Sequence, residues 1–177
     1  FKKDLTIGKT PKNIPLIYKQ NTQDGLFNLV FRYEFGDEDD LRYGYAADYL
    51  NYIGTKKMDV SDINKAFYDL ACNYSVSTTN NTLQISLNGL NENLPKALKL
   101  MENVLKNAQA DKESWEQYIE QVEKGREDAK TDQKTNFNYL WNYCKYGKYN
   151  PSRNDISIED LKKVNPQEYI NLLAGLN

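Results

Sequence analysis

The sequence predicts an α+β fold: one mostly antiparallel sheet built from two hairpins, with helices packed on one face. Three observations predict it. Apolar residues alternate at period two on either side of two turn-like segments, Asn21 to Gly25 and Asn80-Asn81. Between and beyond these segments the apolar spacing changes to that of a helix. The strands also come in adjacent pairs separated by helical stretches, whereas a parallel sheet needs a crossover after each strand.

The elements follow in order. Ile14-Pro15-Leu16-Ile17-Tyr18-Lys19 reads as a short strand, and Asn21-Thr22-Gln23-Asp24-Gly25 has turn chemistry ending in an Asp-Gly step that favours hairpins. Leu26 to Phe35 places Phe27, Leu29, Phe31, Tyr33 and Phe35 on one side of a strand, so the first hairpin is expected to span Ile14–Phe35. Gly36-Asp37-Glu38-Asp39-Asp40 is an acidic loop that supplies helix N-cap candidates. A helix from Leu41 to Ile53 aligns Tyr45, Tyr49, Tyr52 and Ile53, with Gly54 near its C-cap. Ser61-Asp62 opens a second helix with Ile63, Phe67, Leu70 and Ala71 on its buried stripe. Tyr74–Thr78 and Thr82–Leu87 alternate as the second hairpin.

Asn93-Leu94-Pro95 starts a third helix, with proline where its missing N–H costs little and Leu98, Met101, Val104 and Leu105 on the apolar face. Asp111 to Lys130 is a charged helix carrying Trp115, Tyr118 and Val122, and Asn136 to Tyr146 is an aromatic-rich one. After a turn-rich linker, Gly147 to Asn154, Ser157 to Leu161 fits a capping-box start and Asn165-Pro166 begins the last helix. The whole chain, 1–177, reads as a single domain.

Composition removes several functions. The 23 basic and 25 acidic residues leave a net charge of -2, so there is no cation excess to displace counterions from a nucleic acid. No apolar run approaches the ~20 residues of a membrane span. The chain has no histidine, which excludes a His-ligated zinc site, a Ser-His-Asp triad and a Cys-His dyad within it. Cys72 and Cys144 are too few for a cysteine-only zinc site; two buried free thiols are expected, with one disulfide as the alternative. The acidic run at 34–40 lacks the alternating spacing of a calcium loop and reads as a solvated lead-in to a helix. Lys124-Gly125-Arg126 and Lys162-Lys163 read as solvated basic spots, and the 14 tyrosines as packing residues before a peptide groove. The N-terminal Phe1, the lack of a signal-peptide core and the apolar stretch at Leu172–Leu176 lead to the expectation of a segment from a longer protein.

Two stretches carry a resemblance. Arg32-Tyr33-Glu34-Phe35-Gly36-Asp37-Glu38-Asp39-Asp40, followed by a helix into Tyr52-Ile53-Gly54-Thr55, resembles the first half of a pitrilysin/insulysin-type peptidase domain. So does Tyr74-Ser75-Val76-Ser77 with Ile85-Ser86-Leu87-Asn88-Gly89-Leu90-Asn91-Glu92-Asn93-Leu94-Pro95-Lys96-Ala97-Leu98. Members of that family carry His-x-x-Glu-His on the first helix, two histidines binding zinc and the glutamate activating water. The matching window here is Tyr45-Ala46-Ala47-Asp48-Tyr49, with Tyr45 and Tyr49 in place of the histidines and Asp48 in place of the base. The family's third ligand is a glutamate on a later helix, a region holding Glu120, Glu123 and Glu127 here.

The resemblance therefore implies the non-catalytic half of a zinc metallopeptidase, with no catalytic residue and no metal in this chain. A zinc-bearing domain in the same chain or a partner subunit would face it across a peptide chamber. The alternative is a structural or assembly domain of the same fold. By resemblance Tyr74 falls where the silent half contacts substrate; the accompanying arginine position, near Phe67, holds none, and Lys65 is the nearest cation. The resemblance leans toward the periplasm or cell envelope. It also implies that the strands following the last helix in the family are missing. Tyr45 and Tyr49, one turn apart, are expected to stack on the sheet with their hydroxyls reaching a polar partner or solvent.

Overall fold

Leu83, Ile85 and Leu87 alternate with Gln84, Ser86 and Asn88, and all three apolar residues are buried while the intervening ones are not. That strand is the centre of the main sheet. The computed structural model describes residues 4–150 and 154–176. Its elements are β1 (Thr6–Lys9), β2 (Pro15–Tyr18), β3 (Leu26–Tyr33), α1 (Arg42–Tyr49), α2 (Val60–Asp69), β4 (Cys72–Thr78) and β5 (Leu83–Leu90). There follow α3 (Leu94–Asn107), α4 (Lys112–Thr131), α5 (Gln133–Tyr146), α6 (Ile158–Leu161) and α7 (Pro166–Ala174).

The main sheet is antiparallel with order β3-β5-β4. Its register stacks Tyr33, Leu83 and Thr78 across one row, Phe31, Ile85 and Val76 across the next, and Leu29, Leu87 and Tyr74 across a third. These rows form one apolar face, as period-two alternation requires. The helices cover that face: Tyr49, Leu50, Ile53, Phe67, Met101, Val104, Trp115, Ile119, Leu161, Ile170 and Leu173 join it in a single buried cluster.

The second expected hairpin is present as β4–β5; the first is not. β2 turns back onto β1, a strand the sequence reading had not assigned, pairing Thr6 with Tyr18 and Ile7 with Ile17. β3 instead pairs with β5 along its whole length, from Leu26↔Leu90 to Tyr33↔Leu83. Two physical reasons decide this. The apolar side of β3 finds buried leucine and isoleucine on β5, whereas every residue of β2 is exposed. The turn before β3 also spends its polar groups locally: Asp24 accepts from the Leu26 amide at 3.2 Å, and the Gly25 carbonyl accepts from the Asn91 amide at 2.8 Å, fastening the turn to the end of β5.

Several helix ends move by a residue or two. α2 begins at Val60, because Asp59 accepts from the Asp62 amide at 2.7 Å and Asp62 returns the contact to the Asp59 amide in a capping box. Ala71, expected on the buried stripe, is exposed in the turn after α2. α1 tightens into a 3-10 turn at Leu50–Tyr52. Gly54 is not its cap; a Cβ there would collide with the Met58 carbonyl. Both cysteines are free, Cys72 buried as expected and Cys144 exposed on α5, contrary to expectation. A thiol reagent such as DTNB should therefore titrate one thiol in the native protein and a second only on unfolding; two rapid equivalents would contradict this placement.

Candidate functional site

The acidic loop is fastened to the β4–β5 turn. The Asp37 amide donates to the Thr79 carbonyl at 2.9 Å and the Glu38 amide to the Asn80 carbonyl at 2.8 Å. Asn80 answers by donating to the Glu38 carboxylate at 3.0 Å. Gly36 permits this approach, since a Cβ there would overlap the Thr79 carbonyl. Asp39 accepts from the Gly36 amide, and Asp40 accepts from the Arg42 amide at the start of α1. The Arg42 guanidinium beside Asp40 holds that carboxyl below the usual aspartate range. The run of acids thus sets the position and direction of α1.

α1 carries the three residues expected at the degenerate zinc motif, and each has a distinct role. Tyr49 is fully buried. Its ring meets Trp115 edge-on at 4.7 Å and Tyr118 at 5.6 Å, so it packs on α4 within the buried cluster that includes Leu83 and Leu87 of the sheet. Its hydroxyl lies 3.0 Å from the Asp111 carbonyl and 2.9 Å from Ser114 Oγ. Tyr45 is half-buried, and its hydroxyl accepts from Arg126 Nη2 at 2.7 Å and faces Asp155 at 3.4 Å. Burial, then the Asp155 charge, raises its pKa. Asp48 opens into a cleft of about 510 Å3, and burial of its carboxyl plus the nearby Asp37 charge raises its pKa.

These donors do not fit a zinc ion. Both phenols are engaged in packing hydrogen bonds, burial makes each harder to deprotonate, and an arginine lies against Tyr45. Among the described residues no three His, Cys, Asp or Glu side chains converge. Glu120, Glu123 and Glu127 are all exposed, with Glu123 beside Lys162 and Glu127 beside Lys130. The side chains that α4 presents to Tyr45 and Asp48 are Tyr118, Val122 and Arg126. Arg126 is the cleft residue that the sequence does not reveal: its guanidinium is partly buried and also donates to the Ile156 carbonyl at 2.9 Å, so it is no solvated spot. The signal available was its place on the same stripe as Tyr118 and Val122, at helical spacing.

The raised pKa of Asp48 gives a pH prediction. Folding favours its protonated form, so its contribution is fully favourable below the ordinary aspartate range and is lost as pH rises through the folded pKa. Asp48→Asn should therefore melt higher than the parent at pH 7, with the gain fading by pH 3. A lower melting temperature at pH 7 would contradict the assignment.

Tyr74 lies on β4 opposite Leu87, its ring 4.7 Å from that of Phe67 on α2. Burial pushes its phenol up to about 12. It lines a second cleft, of about 380 Å3, with Leu50, Ile53, Ile63, Phe67 and Cys72. Its hydroxyl has no hydrogen-bond partner among the described residues. Lys65 is exposed and does not line this cleft, so the structure does not bring the two together. β4 is an edge strand of the sheet, with β5 on one side only.

No family model matches the sequence, and no curated protein matches it. Solved structures do. The inactive domain of a peptidase M16 from Pseudomonas fluorescens aligns with TM-score 0.78 and 17% identity, over 96% of this chain and 42% of that one. The ferredoxin protease FusC, in complex with Arabidopsis ferredoxin, aligns with TM-score 0.78 and 10% identity, over 97% of this chain and 20% of that one. The periplasmic protease PqqL from Escherichia coli gives TM-score 0.76 and 9% identity, over 98% and 20%. This chain thus shares its α+β fold with parts of these proteases, and it spans less than half the length of each of them.

Proposed function

We propose that this chain is the non-catalytic half of a pitrilysin-like zinc metallopeptidase, a wall of the peptide chamber opposite a zinc-bearing domain in the same polypeptide or a partner subunit. The observation that carries the reading is a combination. Nearly the whole chain superposes on such proteases, yet the window that would hold the metal is Tyr45, Asp48 and Tyr49, committed to packing and to Arg126. The helix α5 supports it. None of its 14 residues is buried, and Phe137, Leu140, Trp141, Tyr143 and Tyr146 are exposed, a surface that a further domain of the longer protein would cover.

Peptide binding is assigned to β4, by strand addition along its edge, with Tyr74 as the substrate contact. The test is Tyr74→Phe in the full-length peptidase. The ring packing on Phe67 is retained and no internal hydrogen bond is lost, so stability should hold. Peptidase kcat/KM should fall by about tenfold, the value of one hydrogen bond worth ~1.4 kcal/mol in the transition state. Unchanged kcat and KM would leave Tyr74 a strand aromatic and favour a scaffold role for the domain.

A further inference from the structure

The cleft bounded by α1, β4, α4 and α5 is lined by three carboxylates, Asp37, Asp48 and Asp155, and by one cation, Arg126. The cation is already engaged. Arg126 donates to the Tyr45 hydroxyl at 2.7 Å and the Ile156 carbonyl at 2.9 Å, and lies 3.8 Å from Asp155. Asp37 and Asp48 have no such partner. Asp37 Oδ2 accepts from Thr78 Oγ1 at 3.0 Å, while its Oδ1 is shielded from solvent and unbonded among the described residues. Asp48 makes no side-chain hydrogen bond or ion pair among the described residues, and Asp37 nearby carries a like charge.

A second, independent feature points the same way. Tyr118 lines the cleft, yet only 3% of it is exposed. Its ring is locked among Tyr49, Tyr52 and Trp115. Its hydroxyl has no protein partner among the described residues, so a nearly buried side chain offers the cleft an oxygen free to accept or donate. Tyr139 of α5 adds an exposed aromatic rim. Unpaired carboxylates, an unpaired phenol and an aromatic rim complement an ammonium or guanidinium group. A bare metal ion would need its ligands gathered on one point, and these are spread around an open cleft.

We propose that this cleft receives a basic side chain, lysine or arginine, of the peptide held against the chamber wall. The inference rests on the peptide-wall reading above and names the class of residue that wall selects. The probe is a pair of labelled unstructured decapeptides, identical except that a central lysine in one is norleucine in the other, titrated by fluorescence anisotropy against the full 177-residue chain.

The lysine peptide should bind about tenfold tighter, the size of one charge-assisted contact. Asp48→Asn should remove that preference; the substitution is isosteric and removes a carboxylate whose charge folding disfavours, so the variant folds, as circular dichroism will verify. Glu120→Gln, on the exposed side of α4, should keep the preference. Equal affinity for the two peptides, or an equal loss in Glu120→Gln, overturns this inference and leaves the peptide-wall reading intact. Binding of neither peptide overturns both.

Discussion

Tyr49→Ala is expected to destabilise the protein by about 3–5 kcal/mol in urea unfolding, the cost of truncating a fully buried aromatic ring. The ring fills the space between α1 and the first turn of α4, against Trp115 and Tyr118. Its loss would leave a cavity beside Trp115 and Tyr118. The hydroxyl adds a smaller amount. Tyr49→Phe keeps the ring and removes the contacts to the Asp111 carbonyl and Ser114 Oγ, so it should cost about 1 kcal/mol. A change near zero for Tyr49→Ala would mean that α1 does not dock on α4 through this residue.

Gly36→Ala should cost about 2 kcal/mol, within the usual range for forcing atoms into filled space. The new methyl would meet the backbone of Thr79, Asn80 and Thr82, which cannot rotate away as a flexible side chain could. The acidic loop would have to lift from the β4–β5 turn, breaking the Asp37–Thr79 and Glu38–Asn80 contacts that aim α1. Gly25→Ala is the control: nothing lies within 4 Å of the added methyl, and stability should change by less than about 0.5 kcal/mol. Equal effects at the two glycines in parallel melts would show that the loop is not held as described.

The features legible in the sequence are those set by local spacing. The β4–β5 hairpin follows from alternation around Asn80-Asn81, and the starts of α6 and α7 follow from Ser157 and Asn165, whose side chains do cap the helices. Tyr49 and Ile53 were readable as buried from their helical spacing. Pairing over long range was not readable. β3 had two candidate partners, and the choice fell to the distant strand that buries its apolar side, Leu26 against Leu90 at one end and Tyr33 against Leu83 at the other. The same holds at the site. Tyr45 and Arg126 are separated by 81 residues and meet only because α4 crosses α1 in the folded protein. Arg126 looked like a solvated charge because Lys124-Gly125-Arg126 is an isolated basic spot on an otherwise acidic helix. The aromatic richness of α5 was visible in the sequence, but the exposure of its large side chains was not.

Backbone amide hydrogen exchange on the full chain, with and without excess unstructured peptide, tests the central claim most directly. A non-catalytic chamber wall should show slowed exchange in β4, around Tyr74, while mass spectrometry recovers the peptide uncut. Unchanged exchange throughout β4, or cleavage of the peptide by this chain alone, would contradict the account.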